Sequence, residues 1–391
     1  MSPTRLPFAT GRTARPFAQL RAHGQVLWLE YLRRDLLLQG ALRTAIDRDH
    51  VHGVMATPTT FAQAIAWTGQ YDVALAEWVR RGELDAKSLY ERLAFADIEV
   101  AADQLRDVYE RGDRRDGFVS LPLPPPLADD GPALVAEALR VSAQIGRPNV
   151  MLMVYATPAG LGALTQMVAA GLNTNVAGVC GLQSYGEVAE AYFRGLELRE
   201  GDLGGLGAVA SLPIGTIDQV TDERLSTVGS GHSAAAFAGQ AAIATARLAY
   251  RDWKRLHSGP RWMRLAARGA RPQRLLFAAL STPGGRAGLR YAEALVGADS
   301  VSAMPVVTLD EFRASGRVEP TLEAGIDEAE ATLAALERLG LDPPATAAAA
   351  AAAELGRFAA DYSTLLSGIE RKRTEVLEGL PPLNPPRGEE R

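Results

Sequence analysis

The fold of this 391-residue chain is decided by the stretch 147–160, RPNVMLMVYATPAG. An apolar run of strand length lies there between turn-forming residues, and a helical pattern begins at Leu161. A continuous apolar run of this kind is typical of a parallel strand that is buried on both faces and leads into a crossover helix. The segment therefore predicts one strand–helix unit of a parallel α/β fold.

The same alternation of strand and helix patterns recurs along most of the chain. Further strands are predicted at 25–30, 51–56, 117–121, 174–179, 207–213, 273–280 and 300–304. Helical segments are predicted at 31–47, 72–110, 131–145, 184–199, 233–256 and 321–339. Strands and helices that alternate in this way favour an α/β fold of the closed parallel (β/α)8 TIM barrel type.

The two ends of the chain differ from the barrel pattern. Residues 1–19 are rich in Pro, Arg and Thr without periodicity, so we expect a flexible N-terminal arm. Residues 20–378 are expected to form the barrel, and residues 379–391 a loose tail rich in proline and charge. The alanine-rich run 345–353 predicts the start of an additional C-terminal helix that ends near Leu377, because alanine has the highest helix propensity.

Composition and charge argue against several classes of protein. The formal net charge of −5 argues against a nucleic-acid partner, and no apolar run is long enough for a membrane span. Cys180 is the single cysteine, which excludes an internal disulfide framework and favours a reducing, cytoplasmic setting. No residue spacing indicates a metal or nucleotide site, so we expect no cofactor. We expect a polar small molecule or sugar as partner, and the sequence leaves open whether the chain forms a homodimer.

The opening stretch also carries a family resemblance. Residues 147–157 resemble the Arg-Pro-Asn-(Leu)-Met-Ile-Lys-Ile-Pro-Ala-Thr segment of transaldolases. Further matches in the same order are 28–30, 34–37, 53–54, 57–59, 116–121, 191–197, 209–211, 269–271, 273–274, 304–305, 308–309 and 312. No single motif is specific alone, but the ordered set covers nearly the whole chain. The chain is therefore identified as a member of the transaldolase family.

The resemblance implies an activity and also shows what this chain lacks. Transaldolases transfer a dihydroxyacetone unit between sugar phosphates in the pentose phosphate pathway, through a Schiff base on a lysine. In this sequence Met153 occupies the position of that lysine. Pro122 and Ala177 stand where the family has the glutamate and threonine that position its catalytic water. Thr216 aligns with the family's phosphate-binding arginine.

The resemblance also names the residues expected to line the pocket. By family position they are Thr57, Ser120, Met153, Tyr155, Asn175, Ala177, Ser211 and Thr216. Each has a structural alternative: methionine fills irregular gaps in a core, and Asn175 and Ser211 can satisfy backbone groups. The hydroxyl of Tyr155 can point into the pocket or pack under its rim.

Schiff-base chemistry needs a primary amine. A lysine attacks a carbonyl when burial lowers its pKa and leaves it neutral, whereas a thioether has no titratable proton. Lysine occurs only at Lys87, Lys254 and Lys372, each within a predicted helix. Helices form the outer ring of a barrel, away from the strand ends where catalysis takes place. We therefore expect none of the three to replace the missing amine.

Glu30 is the candidate catalytic acid or base. It ends the first predicted strand within an apolar run, where an unpaired carboxylate is costly to bury, so a role in the pocket outweighs a structural one. His232 lies on a polar insertion, 221–232, at the catalytic end of the barrel, and we expect it to be solvated rather than to visit the site. Cys180 is expected to be an inert buried thiol.

Three functions follow from these observations. The first is a repurposed barrel enzyme that acts on a polar small molecule without an imine, through acid–base chemistry at Glu30. The second is a catalytically inactive protein that keeps the scaffold and binds a ligand or partner. The third is an ordinary transaldolase acting on sedoheptulose 7-phosphate and glyceraldehyde 3-phosphate, which the loss of the lysine at position 153 disfavours.

Overall fold

Eight parallel strands close into a barrel in the order β1 to β8. The computed structural model of the chain describes residues 15–82, 84–228, 236–281 and 288–379. The strands are β1 (Val26–Leu29), β2 (Val51–Met55), β3 (Phe118–Pro122), β4 (Val150–Tyr155), β5 (Asn173–Ala177), β6 (Ala208–Pro213), β7 (Arg274–Ala278) and β8 (Val301–Met304). Neighbouring strands pair in parallel, and β8 closes the barrel on β1. The predicted (β/α)8 barrel is confirmed.

Helices connect the strands around the outside of the barrel. They are Arg15–Ala22, Arg34–Leu38, Ala41–Asp49, Pro58–Phe61, Asp72–Arg81, Ala86–Gln104, Arg106–Arg111, Gly131–Ile145, Pro158–Ala169, Leu182–Leu198, Ile214–Val228, Ala241–Leu256, Pro260–Ala266, Gly288–Ala294, Val306–Ser315, Ile326–Arg338 and Pro343–Leu377. Residues Ala62–Ala66 form a π-helix and Pro125–Leu127 a 3-10 helix. Within the described ranges, no helix is both long enough and apolar enough to cross a lipid bilayer.

Two predicted helices are interrupted in the structure. The helix predicted at 31–47 is divided into Arg34–Leu38 and Ala41–Asp49 by Gly40, whose φ of +68° is a left-handed conformation that glycine adopts readily. The helix predicted at 72–110 is likewise divided into three shorter helices. The apolar periodicity continues across these breaks because each helix still turns its apolar face toward the same core.

The N-terminal boundary also differs from the prediction. The helix Arg15–Ala22 begins inside the segment 1–19 that was expected to be a flexible arm. Phe17 on this helix is 1% exposed and stacks on Phe312 with 5.7 Å between the ring centroids. A short helix with two buried residues gives too weak a periodicity to be recognised from sequence. Residues 1–14 and 380–391, which hold most of the predicted arm and tail, lie outside the described residues.

The segment after β6 is more helical than predicted. The polar insertion expected at 221–232 is wrong for residues 221–228, which belong to the helix Ile214–Val228. Its polarity suggested a loop, but the hydroxyl of Thr221 bonds the carbonyl of Ile217 one turn earlier, at 2.7 Å. Of the helix predicted at 233–256, the structure shows Ala241–Leu256 as helical, and residues 233–235 lie outside the described ranges. His232 lies outside the described residues.

The interior of the barrel is filled by a hydrophobic cluster. Its strand residues are Trp28, Met55, Phe118, Met151, Met153, Tyr155, Ala177, Val209, Leu276, Ala278, Val301 and Ala303. Because alternate residues of a strand face the same side, residues two apart on β4 and other strands share this interior. Eight strands leave room for such side chains but no open pore, so the barrel is a packed core.

A long helix crosses the carboxyl end of the barrel. The helix Pro343–Leu377 has 35 residues, so it extends over about 52 Å. Its Phe358 contacts Tyr155 at the end of β4, and its Glu354 accepts a hydrogen bond from Thr216, just after β6. The C-terminal helix predicted from the alanine run is therefore confirmed, and it covers the end of the barrel where the strands terminate.

We predict that Gly53→Ala destabilises the barrel. Gly53 on β2 pairs with Trp28 on β1, and a Cβ at this position would lie 2.5 Å from the indole ring of Trp28. The overpacking should lower the free energy of unfolding by about 1–3 kcal/mol, measured by urea denaturation. Gly186, which is exposed on the helix Leu182–Leu198, is the matched control because a Cβ there meets nothing within 4 Å. Gly186→Ala should stabilise by about 0.5–1 kcal/mol, and equal stability of the two variants would contradict this packing.

Candidate functional site

Met153 lies inside the barrel near its carboxyl end. In the strand register it is opposite Pro122 on β3 and Asn175 on β5. The residue is 1% exposed and belongs to the interior hydrophobic cluster. The position aligned with the family's amine is therefore occupied by a packed thioether, which can neither lose a proton nor form an imine.

Three polar residues, Ser120, Asn175 and Ser211, form a buried hydrogen-bond network across the barrel. The Asn175 side-chain amide donates to Ser120 Oγ at 3.0 Å, and Ser211 Oγ donates to Asn175 Oδ1 at 2.7 Å. All three residues are at most 4% exposed. The network ties β3, β5 and β6 together, and it satisfies groups that would be costly to bury alone. Asn175 and Ser211, which the family resemblance placed in the pocket, are thus hydrogen-bonded to other side chains of the barrel.

Tyr155 and Phe358 fill the centre of the barrel mouth. Their ring centroids lie 6.1 Å apart, and each residue is 3% exposed. The Tyr155 hydroxyl donates to the carbonyl of Leu123 at 2.8 Å, so it packs under the rim rather than pointing into an open pocket. Burial raises the pKa of Tyr155 well above its ordinary value. Ala177 belongs to the same cluster, so the mouth is closed by apolar contact.

Thr57 has a local structural role. It is the N-cap of the helix Pro58–Phe61, and its hydroxyl accepts from the backbone N–H of Thr60 at 3.2 Å. A threonine at this position satisfies a donor that the first helical turn leaves unpaired. The hydroxyl also lies 2.9 Å from Thr60 Oγ1. Thr57 is thus near the mouth, but its oxygen is already engaged.

Glu30 extends from the end of β1 toward the barrel mouth. Its backbone N–H continues the sheet by donating to Met304 at 2.9 Å, and its Oε2 accepts from the backbone N–H of Ala279 at 3.0 Å. Burial raises the pKa of Glu30 to about 7, although the Ala279 hydrogen bond and the Arg357 guanidinium lower it. The charge of Glu354 raises it further. Glu30 is therefore a carboxyl group that titrates near neutral pH at the catalytic end of the barrel.

The C-terminal helix contributes two charged residues that sequence reasoning missed. Glu354 is 5% exposed and accepts hydrogen bonds from Thr216 Oγ1 at 2.9 Å and from Arg357 at 2.7 Å. Arg357 also donates to Thr59 Oγ1 at 3.3 Å. In the sequence, Glu354 and Arg357 can be seen only as an oppositely charged pair, three residues apart, just after the alanine run. That pattern is also typical of a solvated helix face, and only the tertiary fold turns it inward.

Opposite charges hold Arg357 in its ionised form. Burial alone would lower its pKa, but the nearby carboxylates of Glu354 and Glu30 more than offset that effect, so the pKa of Arg357 is raised. Asp361, one turn further along the helix, pairs with Thr59 through its carboxylate. The mouth thus holds a cluster of Glu30, Glu354, Arg357 and Asp361, and we call these four residues the mouth cluster.

Two of the three lysines, Lys87 and Lys254, lie on outer helices, and Lys372 lies near the end of the C-terminal helix. Lys87 Nζ bonds Glu137 at 2.8 Å, and Lys254 Nζ bonds Glu323 at 2.7 Å. Lys372 Nζ donates to the carbonyl of Thr68 at 2.6 Å. Each ammonium group therefore has an acceptor outside the barrel interior. The expectation that the lysines belong to the outer ring of helices holds for Lys87 and Lys254, whereas Lys372 is on the helix that crosses the barrel mouth.

The remaining nucleophile and metal candidates offer little chemistry. Cys180 is buried, and burial raises the pKa of its thiol far above the ordinary value, so it stays protonated. His232 cannot be placed, because it lies outside the described residues. Within the described ranges, no group of three or more His, Cys, Asp or Glu side chains is arranged to hold a metal ion. The mouth cluster thus remains as the candidate site at this end of the barrel.

Comparison with known proteins gives a consistent family match. The family model described as transaldolase/fructose-6-phosphate aldolase matches residues 27–369. The chain is 39% identical over 350 residues to a protein named transaldolase from Thiobacillus denitrificans, which covers 88% of this chain and 97% of that protein. It is 36% identical over 365 residues to transaldolase 1 of Streptomyces coelicolor, with 92% and 95% covered. Transaldolase 2 of a Nostoc species is 33% identical over 368 residues, with 90% and 96% covered.

We predict that Glu30→Gln changes how stability depends on pH. The folded-state pKa of about 7 lies above the ordinary value of 4.5, so wild-type stability should fall as pH rises between these values. The variant lacks this titration, so above pH 7 its free energy of unfolding should exceed that of wild type by up to about 3 kcal/mol. Near pH 4.5 the difference should vanish.

Urea denaturation at a series of pH values measures this difference. Glu319→Gln is the control, because Glu319 is exposed to solvent and its replacement should leave the wild-type curve unchanged in shape. Parallel curves for wild type and Glu30→Gln would contradict the burial of the Glu30 carboxyl.

Proposed function

The chain belongs to the transaldolase/fructose-6-phosphate aldolase family, and we propose that it is a transaldolase-like enzyme that transfers protons on a polar small molecule without forming an imine. The observation that carries this proposal is the carboxyl of Glu30, whose pKa is raised to about 7 by burial at the catalytic end of the barrel. A group with a pKa near the working pH can both accept and donate a proton. The names of the relatives favour ordinary transaldolase chemistry, and the buried Met153 argues against it.

In the mouth cluster, Glu354 and Glu30 have different hydrogen-bond partners, and this difference supports a role in acid–base catalysis. Glu354 is held by Thr216 and by the Arg357 guanidinium. Among the described residues, Glu30 has no guanidinium hydrogen-bonded to it as Glu354 has, and its carboxylate accepts a hydrogen bond from the backbone N–H of Ala279. Neighbouring carboxyl groups in different environments are a recurrent arrangement for acid–base catalysis. We assign the proton transfer to Glu30, and to Arg357 the stabilisation of negative charge on a substrate oxygen.

The charge balance of the mouth favours a neutral substrate. Arg357 faces the carboxylates of Glu354 and Asp361, so these three residues carry a formal net charge of −1 before Glu30 ionises. Thr216, which aligns with the family's phosphate-binding arginine, is neutral and already donates to Glu354. A phosphate dianion needs cationic donors or a helix N-terminus to offset its desolvation. A sugar without phosphate fits this cluster better than a sugar phosphate, and the single buried cysteine suits a cytoplasmic enzyme.

A second candidate function rests on the closed mouth. Tyr155 and Phe358 are each 3% exposed and pack against one another, and the Ser120–Asn175–Ser211 network is internally satisfied. A barrel whose former pocket is filled by its own side chains can serve as a scaffold for a partner without catalysis. Under the first proposal, a substrate that enters the centre of the mouth has to displace the Tyr155–Phe358 contact.

Proton transfer predicts hydrogen exchange with solvent. Incubated in D2O with fructose, glucose or other unphosphorylated sugars, the protein should catalyse deuterium incorporation next to the sugar carbonyl, read by proton NMR. The rate should rise as pH increases through about 7, because the ionised carboxylate is the base. Glu30→Gln should lower it by about 100-fold or more, whereas Glu319→Gln should not change it. Absence of exchange with every sugar, or full exchange by Glu30→Gln, would overturn the proposal.

Truncation of Phe358 distinguishes the proposed enzyme from a non-catalytic scaffold. Phe358→Ala removes a buried ring, so the free energy of unfolding should fall by about 3–5 kcal/mol. If the mouth is a working site, the opened mouth should also speed deuterium exchange relative to wild type. Phe358→Leu is the control, since it keeps most of the packing volume and should behave like wild type in exchange. Lower stability without any exchange in either protein would favour the scaffold.

A further inference from the structure

A cavity lies beside the barrel mouth, under the start of the C-terminal helix. Its volume is about 480 Å³, within the range of small-molecule sites. The helices Leu182–Leu198, Ile214–Val228, Ala241–Leu256 and Ile326–Arg338 contribute to its walls. It reaches the barrel at Ala156 and Gly178, which follow β4 and β5, and none of the four residues of the mouth cluster lines it.

The alanine run explains why this cavity exists. Ala347, Ala350 and Ala351 of the C-terminal helix line it, together with Leu336 and Leu341. Alanine maintains the helix while leaving the space that longer side chains would fill. A low-complexity segment that looks like a simple helix former in the sequence thus becomes the roof of a cavity.

One polar group inside the cavity lacks a partner. Thr346 is 8% exposed and lines the cavity, and its hydroxyl has no hydrogen-bond partner among the described residues. Leaving a buried hydroxyl unpaired costs about 1–3 kcal/mol. The Thr346 hydroxyl lies beside a cavity with room for a ligand, so it is available to hydrogen-bond a bound molecule.

We propose that the cavity binds a small, mainly apolar molecule that carries one hydrogen-bonding group, and that this group pairs with the Thr346 hydroxyl. Of the described residues that line the cavity, only Glu187 is charged, and it is exposed at the entrance beside Gln183. No Lys, Arg or His is among the described lining residues, so no cationic side chain there would pair with an anionic ligand. Buried alanine, leucine and Ile217 side chains favour an apolar body such as an aromatic ring.

This site is independent of acid–base chemistry at Glu30. Its ligand would pair with Thr346, whereas Glu354 lies about two turns beyond Thr346 on the same helix and does not line the cavity. The experiment therefore measures binding alone, and its outcome does not depend on whether the protein exchanges sugar hydrogens.

The test uses two probes of nearly equal shape, 4-fluorophenol and 4-fluorotoluene, titrated against the full chain and followed by fluorine NMR. Both should bind, and 4-fluorophenol should bind more tightly because it can pair with Thr346. One hydrogen bond corresponds to roughly a two- to tenfold difference in dissociation constant. Thr346→Val keeps the shape of the side chain and should abolish that difference without weakening 4-fluorotoluene binding.

A matched pair of variants locates the probes. Ala351→Phe projects a ring into the cavity and should eliminate binding of both probes. Ala352→Phe makes the same change at the next residue, which is exposed and does not line the cavity, and should leave binding unchanged. Circular dichroism confirms that each variant is folded. Failure of either probe to bind wild type, or binding that survives Ala351→Phe, would overturn the inference.

Discussion

A closed barrel of eight parallel strands turns alternate side chains of every strand into one shared interior. Position 153 is on that inward face, so its side chain decides whether the barrel interior holds an amine at this point. A lysine at such a place would be desolvated and could attack a carbonyl, whereas the methionine joins the apolar cluster and helps to fill the barrel. The Ser120–Asn175–Ser211 network next to it then holds three strands together. Met153 inside the barrel and the Tyr155–Phe358 contact at its mouth are therefore parts of the same packing.

The C-terminal helix changes what remains at the mouth. Its alanine-rich start leaves a cavity, and its next turns bring Glu354, Arg357 and Phe358 over the strand ends. Phe358 packs against Tyr155 and closes the centre of the mouth. Glu354 and Arg357 act on Glu30 in opposite directions, since the first raises its pKa and the second lowers it. A segment that contributes no strand to the barrel thus decides both access to the mouth and its electrostatics. Chemistry at this end of the barrel depends on how the helix packs as much as on the strands.

Sequence reasoning predicted the parts of this structure that arise from local patterns. The eight strands, the barrel and the C-terminal helix follow from buried apolar runs, turn residues and helix propensity. Glu30 could be singled out because it is a carboxylate on an otherwise apolar strand, and Met153 because the family resemblance places a lysine there. Glu354 and Arg357 could not, since an exposed helix face and a helix crossing a barrel mouth share the same local pattern. The partners of Tyr155 and Asn175 come from distant strands and loops, and no local signal names them.

The central claim is that this chain cannot capture a ketose covalently in its barrel. Its most direct test is reduction with sodium borohydride in the presence of fructose 6-phosphate, followed by intact-mass spectrometry of the protein. A transaldolase that retains the lysine, treated in parallel, shows that trapping works under the same conditions. The account predicts that the mass of this chain stays unchanged, because Met153 offers no amine and the ammonium groups of the three lysines are hydrogen-bonded outside the barrel interior. A sugar-derived mass increase on any nitrogen of the polypeptide would contradict it.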